Sequence, residues 1–104
     1  MARPEVTASA DCRTMAEVRA GIDSIDRQLV ALIAERLGYI AAAARIKQDR
    51  DAVRDEWRKA DVLEKVAATS RELGVPVELT ADLWERMVEF SIAREFTLFD
   101  KKSA

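Results

Sequence analysis

Residues 15–48, MAEVRAGIDSIDRQLVALIAERLGYIAAAARIKQ, decide the fold. In alternating steps of three and four from residue 15 they give Met15, Val18, Ile22, Ile25, Leu29, Leu32, Arg36, Tyr39, Ala43 and Ile46. That spacing holds the side chains on one side of an α-helix and predicts one buried helical stripe. Nine of the ten positions suit a core. The exception is Arg36, whose guanidinium keeps its charge and is rarely buried without a partner, so an anion is expected opposite it.

Upstream of the stripe, Thr14 is placed to cap the helix, and residues 1–13 read as a flexible arm. Downstream, Asp49-Arg50-Asp51-Ala52-Val53-Arg54 reads as a polar loop. Asp55 then caps a second helix predicted over 56–73, which Gly74-Val75-Pro76 ends. A third helix is predicted from Val77 or Thr80 to Phe99. Trp84, Val88, Ser91, Glu95 and Leu98 lie along one seam of it, with Leu83, Met87 and Phe90 beside them. No strand pattern competes. The expected class is all-α, one long and two shorter helices, organised as an arm 1–13, a single helical domain 14–100 and a tail 101–104.

Helix length bears on assembly. About 35 helical residues at roughly 1.5 Å each make a rod near 50 Å, whereas a compact domain of this size is only about 33 Å across. One rod and two shorter helices cannot enclose each other's apolar faces, so an intertwined homodimer is expected. The alternative is a three-helix monomer bent at Gly38. Trp57 and Trp84 are expected in the core or at the dimer interface.

Composition excludes several classes of function. The 104 residues are 49% hydrophobic and 35% charged, and a net charge of −2 argues against general nucleic-acid binding. Without histidine there is no imidazole base, no Ser/His or Cys/His nucleophile pair and no histidine metal site. With Cys12 as the single cysteine, a metal site is not expected, and a reducing compartment fits. The N-terminus lacks the apolar core of about 7–15 residues that a secretory signal needs, and no run reaches membrane-spanning length. A cytoplasmic location is expected.

Polar residues in apolar seams are the candidate site. Arg36 and Lys47 are eleven residues apart, three turns, so both face nearly the same way and can bend toward one small anion. Arg19 lies seventeen residues before Arg36, too far to reach that ligand within one chain, although Arg19 of a partner subunit could. Ser91 and Glu95 are i, i+4 neighbours in the seam of the third helix. Facing stripes interrupted in this way would line a polar pocket inside a helical bundle. The structural alternative is a buried Arg36–Glu95 ion pair.

The chain resembles the all-α chorismate mutases of the AroQ type, in the branch that includes the isochorismate-pyruvate lyases. The resemblance rests on residues 15–26 (MAEVRAGIDSID), Leu32-Ile33-Ala34-Glu35-Arg36, Ala44-Arg45-Ile46-Lys47 and Val53-Arg54-Asp55-Glu56-Trp57-Arg58. Asp11-Cys12 before the first helix is similar to the lyase-containing branch. The resemblance implies that Arg36 and Arg19 of the other protomer clamp substrate carboxylates, and that Lys47 contacts the ether oxygen of the breaking bond and a carboxylate. It further implies Arg58 as an additional cation, Asp55 near the ring hydroxyl and Ser91 near a carboxylate. Two positions depart from the common pattern. Glu95 stands where many relatives have glutamine, and Lys59 where many have a glutamate that holds the ring hydroxyl.

The implied reaction is a concerted pericyclic shift of chorismate to prephenate, which needs no cofactor, metal or nucleophile. It needs a folded substrate conformer and cationic or hydrogen-donating groups where charge grows on the ether oxygen. An ionised Glu95 would repel that charge, so Glu95 is expected to act protonated, as a donor. Pyruvate elimination from isochorismate makes the same demands and is the alternative activity; a non-catalytic helical dimerisation module is the second alternative.

Overall fold

The computed structural model describes residues 6–102. Among them are three α-helices, α1 (Met15–Ile46), α2 (Glu56–Leu73) and α3 (Val77–Lys102), and no strand. Short 3-10 turns at Ser9–Asp11 and Arg50–Ala52 precede α1 and α2. The all-α class is as expected from periodicity. The long helix ends at Ile46 rather than near Gln48, and the third runs past Phe99 to Lys102. No described helix is long and apolar enough to cross a membrane. Contacts divide the chain into two compact units, one ending at Leu37 and the other beginning at Gly38.

In the first unit, Thr14 and Glu17 form a capping box. The Glu17 N–H donates to Thr14 Oγ1 (3.2 Å), and Glu17 Oε1 accepts from the Thr14 N–H (3.0 Å), which satisfies donors that a helix start leaves unpaired. Glu17 also accepts from the Arg13 N–H and the Thr7 hydroxyl. These bonds, the Arg13 N–H foremost, hold its carboxyl below the usual glutamate range. Residues 7–13, expected to be loose, are thus tied to α1, while residues 1–5 of the expected arm lie outside the described residues. The apolar stripe behaves differently from the expectation. No described residue up to Leu37 is buried, and Met15, Ile22, Leu29 and Leu32 each expose half or more of their surface.

The second unit holds the core. Ala44 from α1, Val53 and Phe99 are buried together, with Ile92, Phe96 and Leu98 packed against them. Val53 belongs to the stretch that reads as a polar loop, so the loop is anchored by one buried apolar side chain between Ala52 and Arg54. Helix α2 has the expected boundaries. The Asp55 side chain accepts from the Arg58 N–H (3.0 Å) at its start. Gly74 ends it at φ 71, a left-handed conformation that lets the N–H groups of Gly74 and Val75 reach back to carbonyls of the last turn. The Ser70 and Thr80 hydroxyls, 2.6 Å apart, join α2 to α3. The buried seam of α3 is Val88, Ser91, Glu95 and Phe99. Phe99 rather than Leu98 completes it, and Leu83 and Phe90 beside it are exposed. Trp57, expected in a core or an interface, is 75% exposed in this chain, and Trp84 is half-buried.

Candidate active site

Lys47 is the first residue beyond α1, and its N–H donates to Ala43 O (2.9 Å). Its side chain reaches α3, where Nζ donates to Glu95 Oε2 at 2.7 Å. The Glu95 side chain is 6% exposed and that of Lys47 30%. A carboxylate so deeply placed is costly unless paired, and the lysine ammonium supplies the opposite charge. One turn earlier on α3, Ser91 is buried and its hydroxyl donates to Met87 O (2.8 Å). Lys47, Ser91 and Glu95 therefore form a polar cluster in an otherwise apolar seam flanked by Val88 and Phe99.

The segment after Lys47 is held to α3 on both sides of this cluster. Arg50 pairs with Asp100 through two hydrogen bonds, and its guanidinium lies 4.5 Å from the centre of the Phe96 ring. Arg54 forks onto both oxygens of Glu89, at 2.7 and 3.2 Å, and also reaches Glu56. Lys59 on α2 bonds Glu85 (2.9 Å) and Glu89 (2.8 Å). Under the Arg54 and Lys59 hydrogen bonds the Glu89 carboxyl falls to about 2. The same hydrogen bonds to Glu89 in turn raise Lys59 and Arg54 above their ordinary values, with those to Glu85 and Glu56 second.

Of the residues read from sequence, Lys47 and Glu95 meet directly, and Ser91 lies one turn from Glu95. Glu95 accepts from the Lys47 ammonium through Oε2. Asp55 is the N-cap of α2, and Arg58 is exposed with its guanidinium on Asp61 (2.7 Å). Arg19 is exposed and Arg36 half-buried, both on the α1 stretch of the other unit. Lys59, at the position that departs from the common pattern, is engaged by Glu85 and Glu89. The ion pairs of Arg50 and Arg54 were missed. Their partners lie 50 and 35 residues away, and charges so far apart leave no periodic signal in sequence.

The profile of the chorismate mutase type II family matches residues 18–96. That span contains Arg19, Arg36, Lys47, Asp55, Arg58, Ser91 and Glu95. An isochorismate pyruvate lyase of Pseudomonas aeruginosa is 29% identical over 85 residues, which are 82% of this chain and 84% of that protein. A bifunctional chorismate mutase/prephenate dehydratase of Buchnera aphidicola is 29% identical over 84 residues, 80% of this chain but only 22% of that longer protein.

Proposed function

The chain belongs to the chorismate mutase type II family, and from that premise we propose that it rearranges chorismate to prephenate, using helices within residues 14–100. The observation that carries this reading is the pair of half-buried Lys47 with buried Glu95 at 2.7 Å, one turn from Ser91. A pericyclic shift needs no covalent partner from the protein. It is accelerated by holding the folded conformer and by a cation or donor fixed at the ether oxygen as charge grows there. Lys47 is that cation, and it is pre-placed because its ammonium is held by the buried Glu95 carboxylate.

Substrate and Glu95 compete for the same ammonium. When the ether oxygen takes Lys47, an ionised Glu95 would face developing negative charge, so Glu95 takes up a proton and donates. Arg36 and Arg19 of the partner subunit clamp the two carboxylates. Ser91 supports one of them, Arg58 adds positive charge, and Asp55 contacts the ring hydroxyl. No cofactor takes part.

The assembly is an intertwined homodimer. Met15, Ile22, Ile25, Leu29 and Leu32 keep the three-four spacing of a packed seam and yet are exposed in the single chain. Burying each such side chain is worth about 1.5–3 kcal/mol, so a second copy seated on them has ample driving force. A cytoplasmic location suits an enzyme acting on a small soluble dicarboxylate.

The second reading is isochorismate-pyruvate lyase activity in the same pocket, favoured by the likeness to the Pseudomonas aeruginosa protein across 84% of its length. Incubation with chorismate and detection of prephenate tests the first reading; isochorismate, with salicylate and pyruvate as readout, tests the second. Failure on both substrates would leave a helical dimerisation module. For Glu95, the Glu95→Gln variant decides. A neutral amide still donates a hydrogen bond, so turnover is retained if the site works with a donor there, and its loss contradicts the protonated donor.

A further inference from the structure

We propose that Lys102, at the end of α3, is the positioning residue that fixes the backbone of Lys47; the inference rests on the role of Lys47 proposed above. An α-helix ends with carbonyls that have no partner in the helix. Usually a glycine turn or water satisfies them, and α2 uses Gly74 in this way. Helix α1 has no such residue, since Lys47-Gln48-Asp49 follows Ile46 directly.

Its end is closed by a side chain from 55 residues further on. The Lys102 ammonium donates to Lys47 O at 2.5 Å and to Arg45 O at 3.2 Å. A cation there also meets the negative end of the helix dipole. The same ammonium lies 4.4 Å from the centre of the ring of Phe99, which is buried in the core, so the cap is itself held in place. Two residues before it, Asp100 holds Arg50, and the last turn of α3 thereby grips both sides of the Lys47 peptide.

Lys47 depends on this grip more than a residue inside a helix would. As the first residue past α1, its backbone is held on the carbonyl side by this tertiary cap and not by the helix ladder. Glu95 holds the ammonium, but that contact is the one a substrate takes over. During the reaction the Lys102 cap is what keeps Lys47 aimed. Small misplacements of a catalytic group weaken transition-state contacts steeply, so the cap acts on kcat more than on KM.

Lys102→Met keeps the aliphatic stem over Phe99 and removes the ammonium, while Lys102→Arg keeps donors for both carbonyls. In Lys102→Met, kcat falls on the order of tenfold with KM within about twofold. Amide exchange at Lys47 and Gln48 accelerates while α2 and the Ser91 turn stay protected, and Lys102→Arg recovers both quantities. An unchanged kcat in Lys102→Met, where the parent is active, overturns the proposal, as does a fall that arginine does not recover. Loss of protection throughout α1, α2 and α3 also overturns it, because Lys102 would then be a general stabiliser. A parent inactive on both chorismate and isochorismate defeats the proposed function instead, and the exchange measurement still decides whether Lys102 holds Lys47.

Discussion

The residues up to Leu37 and those from Gly38 onward start from the same kind of sequence, helices with apolar positions three and four apart, and reach opposite ends. Beyond Gly38 the pattern is used within the chain. Ala44, Val53, Val88 and Phe99 are buried, and the polar exceptions Ser91 and Glu95 are buried with them. Before it, a more regular stripe buries nothing. Periodicity reports that a face is to be covered, and says nothing about whether the cover comes from the same molecule. The second unit contains the Lys47–Glu95 ion pair, while the first offers an exposed apolar stripe and carries Arg19 and Arg36.

The sharpest way to break this contrast is at Lys47. Lys47→Ala lowers kcat on the order of 10³-fold if the ammonium meets the developing charge. It also costs roughly 2 kcal/mol of stability by removing a counter-charge from Glu95, less than for a fully buried pair because Lys47 is partly exposed. Adding Glu95→Gln restores the melting temperature without restoring turnover; recovery of both would make the pair purely structural.

Next in size is Phe99→Ala, which empties the centre of the second unit and lowers unfolding free energy by about 3 kcal/mol in denaturant titration. Leu29→Asp addresses the first unit. If a second copy covers the stripe, sedimentation shows a monomer, and kcat/KM falls on the order of a hundredfold as Arg19 of the partner subunit leaves the site. If the chain works alone, a substitution at so exposed a position changes stability by no more than about 0.5 kcal/mol and the sedimentation is that of the parent.

The smallest effect is electrostatic. Glu89 is held at about 2 by Arg54 and Lys59, below its unfolded value near 4.3. A depressed carboxyl stabilises the fold above the unfolded value, and the contribution is lost as pH falls through the folded one. The melting temperature of the parent therefore drops between about pH 4.5 and 2, and Glu89→Gln flattens that limb. An identical acid limb in both proteins would show that the surface network adds nothing measurable, as many exposed pairs do not.

What was legible in the sequence follows the range of the forces involved. The limits of α2 could be read because Asp55 and Gly74 act on their immediate neighbours. Ser91 and Glu95 stood out because a polar residue in an apolar seam violates the pattern around it. Val53 escaped because Ala52-Val53 amid Asp51, Arg54 and Asp55 is too short to make a periodic pattern. The tie between the arm and the helix escapes a reading of spacing because Thr7 lies ten residues before Glu17, outside any helical period, and Arg13 bonds through its backbone N–H, which side-chain identity does not record.

By itself, then, the sequence determined the helical class, the limits of α2, the stripe that asks for a partner and the identity of the polar intruders, since each depends on neighbours within a turn or two. Tertiary structure alone decided which charges meet. Lys47 with Glu95, Arg54 with Glu89 and Lys102 with the Lys47 carbonyl join residues 35 to 55 positions apart. Such encounters are selected by the packing of whole helices, and no local rule of spacing records them.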